Sequence, residues 1–150
     1  MIVVEAGHPL DPQPKALLEQ SHALMTSLFP RDACHFLDFD KLTAPHIRFL
    51  IAREGDVAAG TGVLAVLDGY GEVKSMFTDP NARGNGVAAA ILRALEDLAR
   101  GEGLPWLRLE TGTGLDAAHR LYERHGFTKC DAFGDYERSD FSLFFEKELR

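Results

Sequence analysis

The spacing of apolar residues divides the first third of the chain into one strand and two helical segments. Residues 2–5 form a β-branched run, which predicts a first strand. Over residues 15–28 the leucines and Met25 recur at near-helical intervals, and this pattern predicts a helix that ends at Pro30. We place a second short helix at residues 33–41, although the apolar residues there fix no clear period.

The rest of the chain alternates between strand and helix patterns. Residues 48–53, 57–67 and 70–78 predict three consecutive strands, and Asp68-Gly69 is a hairpin signal between the last two. Residues 86–100 carry one apolar stripe, which is typical of a helix packed on a sheet. The remaining predicted elements are a strand at 106–111, a helix at 116–124 and closing strands at 127–130 and 141–146. The order is β-α-α-β-β-β-α-β-α-β-β, an α/β fold with a mixed central sheet flanked by helices.

Composition narrows the classes of function. A length of 150 residues suits a single domain over residues 1–150. The formal net charge of −7 argues against nucleic acid and against an anionic membrane surface as partners. Cys34 and Cys130 do not form a disulfide framework or a zinc motif, and we expect no metal. Because no leader-like segment or spanning apolar run is evident, we expect a cytoplasmic protein.

A Gly-rich loop between a predicted strand and a predicted helix carries the first candidate chemistry. Small residues let a phosphate approach the backbone, and the first helical turn presents unpaired N–H groups at the positive end of the helix dipole. Arg83 adds a positive charge that can reach a phosphate oxygen. We therefore predict an anion site, suited to a pyrophosphate, formed by Arg83, Gly84, Asn85, Gly86, Val87 and Ala88.

Two motifs resemble signatures of the GNAT superfamily of N-acetyltransferases. Arg83-x-x-Gly86-x-Ala88 is similar to the coenzyme A motif of that superfamily, and Leu121-Tyr122-x-x-x-Gly126-Phe127 is similar to the segment that closes its core. Together the motifs are more specific than either alone, and the resemblance covers residues 49–145. Segments 71–76, 109–114 and 133–136 resemble a subgroup of YsnE-like bacterial acetyltransferases. Many superfamily members carry an Asn near the position of Leu115; here that coenzyme contact is lost or made by the backbone.

The resemblance implies the GNAT fold, acetyl-CoA as cosubstrate and direct attack of an amine on the thioester. It places the general acid at Tyr122, whose phenol is protonated at neutral pH. For the base it ranks Glu72 first and Glu110 second, with a water chain as a further route. By the same resemblance, the backbone of Met76 and Thr78 pairs with the pantetheine arm, and an N–H near Met76 or Phe77 stabilises the thioester carbonyl.

The residues that bind the acceptor amine are less clearly defined. The resemblance assigns them to the first helices and the loop between the last two strands, which supply His22, Met25, His35 and Tyr136 as candidates. Each of these side chains also fits an ordinary packing or solvated role. A small-molecule amine or amino acid, a protein lysine or N-terminus, and a non-catalytic acyl-CoA sensor all stay open. A homodimer also stays open.

Overall fold

A computed structural model describes residues 1–149 as a mixed sheet of seven strands flanked by three helices. The sheet order is β1-β2-β3-β4-β5-β7-β6. The elements, in chain order, are β1 (Ile2–Ala6), α1 (Pro12–Leu28), β2 (Ile47–Glu54), β3 (Val57–Leu67), β4 (Tyr70–Thr78), α2 (Val87–Gly101), β5 (Trp106–Gly112), α3 (Asp116–Arg124), β6 (Thr128–Cys130) and β7 (Ser142–Glu148).

The only parallel pairing among these strands joins β4 and β5 at the centre of the sheet. That pairing is short: it covers Gly71 to Val73 opposite Leu107 to Leu109, and beyond it β4 leaves its neighbour. A bulge bends β4 at this point, since Lys74 pairs with Val63 whereas Phe77 pairs with Thr61. Beyond Val73 the edge of β4 that faces β5 is therefore unpaired within the sheet.

The helices pack on the two faces of the sheet. Leu18 of α1 joins Phe49 and Val63 in one apolar cluster, whereas α2 and α3 contribute to a larger cluster on the other face. Two glycines of β3 let α2 approach closely, because a Cβ atom on Gly60 would lie 2.7 Å from the Val87 side chain. The apolar stripe of α2 consists of Val87, Ile91, Leu92, Leu95 and Ala99.

The structure confirms the GNAT-type order of strands and the long helices, but the predicted helix at 33–41 is wrong. Two short 3-10 turns, Arg31–Ala33 and Lys41–Thr43, enclose a segment without regular secondary structure there. Its apolar residues pack inward singly, and Phe36 stacks on His22 with ring centroids 4.0 Å apart. Helix α1 begins earlier than predicted, at Pro12, because proline is well tolerated in a first helical turn. None of the helices within residues 1–149 is long and apolar enough to span a bilayer.

Candidate active site

The loop between β4 and α2 is shaped by two left-handed glycines. Gly84 and Gly86 have φ values of +85° and +82°, which other residues adopt only with strain. Gly86 is the N-cap of α2, and no side chain caps the helix there. Asp79 accepts a hydrogen bond from the backbone N–H of Asn81 at 2.9 Å and fixes the entry to the loop. The first-turn N–H groups of α2 are thus left open for an anion.

This loop forms one wall of a cavity of about 920 Å³, which we call the loop cleft. The opposite wall is the start of α3 with Gly114 and Leu115, and the exposed Leu24 and Leu28 of α1 also line it. Asn85 is the one residue of the predicted set that lies outside the lining. The predicted residues that line the loop cleft are Met76, Phe77, Thr78, Arg83, Gly84, Gly86, Val87 and Ala88.

A second cavity of about 900 Å³ lies near the start of β4, where Tyr70 and Glu72 line it, and we call it the acidic cleft. Its walls are the irregular segment after α1 and the loop at residues 131–141 between β6 and β7. The predicted acceptor residues His35 and Tyr136 line it, with ring centroids 5.2 Å apart. Carboxylates outnumber the lysine and arginine side chains in its lining: Asp32, Asp68, Glu72, Asp135 and Glu137 against Lys41 and Arg138.

A small cavity of about 140 Å³ shares lining residues with both clefts, and we call it the junction. It shares Tyr122 and Met76 with the loop cleft, and it shares Glu72 and His35 with the acidic cleft. The three predicted catalytic side chains therefore meet in one place, because Glu110 also lines the junction. Met25, from the predicted acceptor set, lies there too.

Tyr122 is held in the junction by helix α3. Its residue is 6% exposed, and its ring packs against Phe127 and Phe145 with centroids 5.9 Å and 6.0 Å apart. Burial, assisted by the negative charge of Glu110, raises the pKa of the phenol to about 12. The group is therefore protonated at neutral pH and can serve as a proton donor.

Glu110 projects from β5 into the same cavity. It accepts a hydrogen bond from the hydroxyl of the buried Ser142 on β7, with Oγ and Oε2 2.7 Å apart. Burial raises the pKa of Glu110 above the ordinary carboxyl value, while the hydrogen bond from Ser142 acts in the opposite direction. A carboxylate in these surroundings is a stronger base than an exposed one.

Glu72 lies on the neighbouring strand β4, and its carboxylate interacts with two hydrogen-bond donors. The hydroxyl of Tyr136 donates to Glu72 Oε2 at 2.5 Å, and Lys74 Nζ lies 3.1 Å from the same oxygen. The motifs did not mark Lys74, although strand alternation places it on the same face of β4 as Glu72. The strand pattern included Lys74, but this lysine belongs to no recognised motif.

His22 lies apart from these cavities. It does not line the loop cleft, the acidic cleft or the junction. Its Nε2 atom is buried without a hydrogen-bond partner, and burial lowers its pKa, against the opposing charges of Asp38 and Glu19. Its link to the site is indirect, through the stacked Phe36, which lines both the acidic cleft and the junction. Within residues 1–149 no group of His, Cys, Asp and Glu side chains is arranged to hold a metal ion.

Comparison with known proteins identifies the family. The model of the acetyltransferase (GNAT) family matches residues 16–127. An IAA acetyltransferase from Azospirillum brasilense is 38% identical over 150 residues, which cover 99% of this chain and 98% of that protein. The uncharacterised N-acetyltransferase YsnE from Bacillus subtilis is 40% identical over 128 residues, covering 83% of this chain and 85% of that protein.

Solved structures agree with this assignment. A structure from Klebsiella pneumoniae described as an acyl-CoA N-acyltransferase has a TM-score of 0.87 and 32% identity, covering 100% of this chain and 99% of that one. The fold is also that of the Salmonella typhimurium acetyltransferase yncA, solved with acetyl-CoA, at a TM-score of 0.74 and 19% identity, covering 99% of this chain and 94% of that one. The chain belongs to the GNAT family and is an N-acetyltransferase that depends on acetyl-CoA.

Proposed function

We propose that this protein transfers an acetyl group from acetyl-CoA to the amine of a small molecule or amino acid, with the chemistry in the junction. The observation that carries the proposal is the convergence of Tyr122, Glu72 and Glu110 in a cavity that adjoins two larger clefts. A donor and an acceptor that enter from opposite sides would meet there without mixing their binding sites.

The loop cleft suits coenzyme A. Its pyrophosphate would bind the open N–H groups at the start of α2, with Arg83 adding a charge-assisted contact. The pantetheine arm would follow the edge of β4 that is exposed beyond Val73, pairing with the backbone of Met76 and Thr78. This path leads the thioester to the junction, where an N–H of Met76 or Phe77 would stabilise the carbonyl oxygen.

The proton transfers have candidate groups on both sides of the thioester. A lysine-like amine has a pKa of about 10.4, so it is mostly protonated at neutral pH and must lose a proton before it attacks. Glu72 or Glu110 would accept that proton, directly or through water. As the C–N bond forms and the C–S bond breaks, Tyr122 would donate its phenolic proton to the departing thiolate.

The acidic cleft would bind the acceptor. The excess of carboxylates in its lining favours a cationic amine over a neutral or anionic one. A volume of about 900 Å³ accommodates a small metabolite or a single side chain of a larger substrate. We place the protein in the cytoplasm, because its two cysteines are free thiols of the kind that a reducing compartment maintains.

A panel of amines, amino acids and peptides tests this function. Each is incubated with the protein and acetyl-CoA, thiol release is followed, and the acetylated product is identified by mass spectrometry. The proposal predicts amine-dependent thiol release for small cationic amines, matched by acetylated product. Turnover of peptides alone would favour a protein substrate. Tight coenzyme binding without turnover of any acceptor would favour a sensor and contradict the proposal.

A further inference from the structure

Tyr136 connects the acidic cleft to the strand that carries Glu72. Its hydroxyl lies 2.5 Å from Glu72 Oε2 and 2.7 Å from Lys74 Nζ. The phenol donates to the carboxylate and accepts from the ammonium. Since Lys74 Nζ also lies 3.1 Å from Glu72 Oε2, the three side chains close a triangle of hydrogen bonds.

Two members of this triangle are largely buried, while Tyr136 is half-buried at the wall of the acidic cleft. The side chains of Lys74 and Glu72 are 11% and 8% exposed. Removing one member of such a buried ion pair leaves the other charge without compensation, which is strongly unfavourable. The ammonium of Lys74 also lies 5.4 Å from the centroid of the Tyr136 ring, so the ring and the hydroxyl both face the same cation. The triangle is therefore a strong attachment point.

The loop at residues 131–141 is attached at its end by Thr113, which hydrogen-bonds the backbone oxygens of Asp140 and Phe141, and elsewhere by aromatic packing. Most of its residues are exposed, whereas Phe133 and Tyr136 are half-buried and pack on each other with centroids 5.2 Å apart. The Tyr136 ring also contacts His35, which belongs to the opposite wall of the acidic cleft. One side chain thus ties this loop, the segment after α1 and β4 together.

We propose that Tyr136, Glu72 and Lys74 form a latch that fixes loop 131–141 over β4 and sets the affinity of the acidic cleft for its acceptor. Tyr136 is the positioning residue of this latch. Glu72 anchors the loop and balances the Lys74 ammonium, and it does not take the proton of the amine. The latch rests on the proposed function, because it assumes that the acidic cleft binds the acceptor.

Proton transfer then falls to Glu110. A proton on Glu72 would remove the counter-charge of Lys74 and the acceptor of the Tyr136 hydrogen bond at the same time. Glu110 does not have to stay charged in this way, since its hydrogen-bond donor is the neutral hydroxyl of Ser142. Both carboxylates line the junction, so Glu110 can replace Glu72 as the base without any movement of the amine between cavities.

Tyr136→Phe separates the latch from a simple packing role, because it keeps the ring and removes both hydrogen bonds. The latch predicts that KM for the acceptor rises about tenfold, as expected for lost hydrogen bonds to charged groups. It predicts that kcat changes less than about threefold and that coenzyme affinity is unchanged. Tyr70→Phe is the matched comparison: Tyr70 also lines the acidic cleft and packs on Phe133, but its hydroxyl makes no hydrogen bond within residues 1–149. An equal rise of KM in both variants, or none in Tyr136→Phe, would overturn the latch.

Glu72→Gln distinguishes an anchor from a base. The latch predicts a raised acceptor KM like that of Tyr136→Phe, an unchanged acid limb in the pH profile of kcat, and a double variant whose effect is smaller than the two single effects combined. A large loss of kcat with an unchanged KM, together with loss of the acid limb, would show that Glu72 is the base. That result would overturn the latch while acetyl transfer itself stood.

Limited trypsin digestion tests the loop attachment without any acceptor. Cleavage after Arg138, which lies in the loop, requires local opening and reports the population of the open state. The latch predicts cleavage about tenfold faster in Tyr136→Phe than in the parent, and a parental rate in Tyr70→Phe. Equal rates in Tyr136→Phe and the parent would overturn the latch even if acetyl transfer is found. Faster cleavage in Tyr136→Phe, with no transfer by the parent, would support the attachment and contradict the proposed function instead.

Discussion

Tyr122 and Glu110 face the same small cavity from a helix and a strand, and the charge of Glu110 adds to burial in raising the pKa of the Tyr122 phenol to about 12. Burial also raises the pKa of Glu110 itself. The pair thus combines a phenol that keeps its proton with a carboxylate that accepts one more readily than usual. Such a separation of an acid and a base is what acetyl transfer to a protonated amine requires.

Glu110→Gln is expected to lower turnover and to stabilise the fold above neutral pH. Because the folded-state pKa of Glu110 is raised, the fold binds its proton more tightly than the unfolded chain does. The stability that this proton contributes is lost as the pH rises through the folded-state pKa. Gln mimics the protonated form, so the gain in melting temperature should be largest at pH 8 and should vanish at low pH, while kcat falls about a hundredfold.

Ser142→Ala is the matched variant for that prediction. It keeps the carboxylate of Glu110 and removes the hydrogen bond that opposes the rise of its pKa. The acid limb of the pH profile of kcat should therefore move to higher pH, without the loss of turnover seen in Glu110→Gln. An acid limb at the parental position in Ser142→Ala would show that Glu110 does not control the reaction.

Gly86→Ala is expected to weaken coenzyme binding and to lower stability. The φ of Gly86 is +82°, and an Ala in this left-handed conformation costs about 1–2 kcal/mol. Its methyl group would also stand where the pyrophosphate approaches the first turn of α2. Calorimetry with coenzyme A and thermal unfolding measure the two effects separately.

Gly101→Ala provides the control for the same helix. Gly101 has no positive φ, and a Cβ atom there would enter open space. This variant should keep the parental coenzyme affinity and should be more stable by up to about 0.5–1 kcal/mol, because Ala is the better helix former. Parental coenzyme affinity in a folded Gly86→Ala would rule out phosphate binding at this helix start.

Arg83→Ala is expected to bind coenzyme A more weakly and with a flatter dependence on salt. Arg83 is exposed at the rim of the loop cleft, so the loss should be at the lower end of about 1.5–3 kcal/mol. Arg93→Ala removes the same charge from an exposed position further along α2 and should leave the affinity nearly unchanged. Binding titrations at two salt concentrations decide the matter: identical salt slopes for Arg83→Ala and the parent would place this side chain away from the phosphates.

His22→Phe is expected to make the fold less sensitive to acid. Burial lowers the pKa of His22 from its ordinary value of 6.5, so the unfolded chain binds this proton more tightly than the fold does. The parent should therefore lose stability as the pH falls below 6.5, until the folded-state pKa is reached. Phe keeps the stacking on Phe36 and cannot be protonated. The difference in melting temperature between variant and parent should grow from pH 7 to pH 5; a constant difference would show that His22 is not protonated on unfolding.

Much of the fold was predictable because its signals are local. The Asp68-Gly69 hairpin signal between β3 and β4, the stripe of α2 and the glycines of the loop before α2 each occupy one continuous stretch of sequence. The predicted helix at residues 33–41 was wrong because the conformation there is not determined locally. That segment has no intrinsic period, and its conformation follows from contacts such as that of Phe36 with His22 on α1.

The predicted site residues came from motifs, and the residues that motifs do not mark were missed. Lys74 lies on the same face of β4 as Glu72, but only the structure shows that its ammonium meets Tyr136, 62 positions away along the chain. The hydrogen bond from Ser142 to Glu110 likewise joins strands that are distant in sequence. Such contacts between residues distant in sequence determine which carboxylate stays charged, and no local sequence pattern encodes them.

The most direct test of the proposed mechanism is the turnover of Tyr122→Phe, measured together with its coenzyme affinity and melting temperature. Phe keeps the packing against Phe127 and Phe145 and removes the proton that the thiolate would receive. Thiols are moderately good leaving groups, so kcat should fall by about ten- to a hundredfold, at the low end of the range for general acid catalysis. Coenzyme affinity and melting temperature should barely change. Full turnover in Tyr122→Phe would contradict the role of Tyr122 as the acid that completes acetyl transfer in the junction.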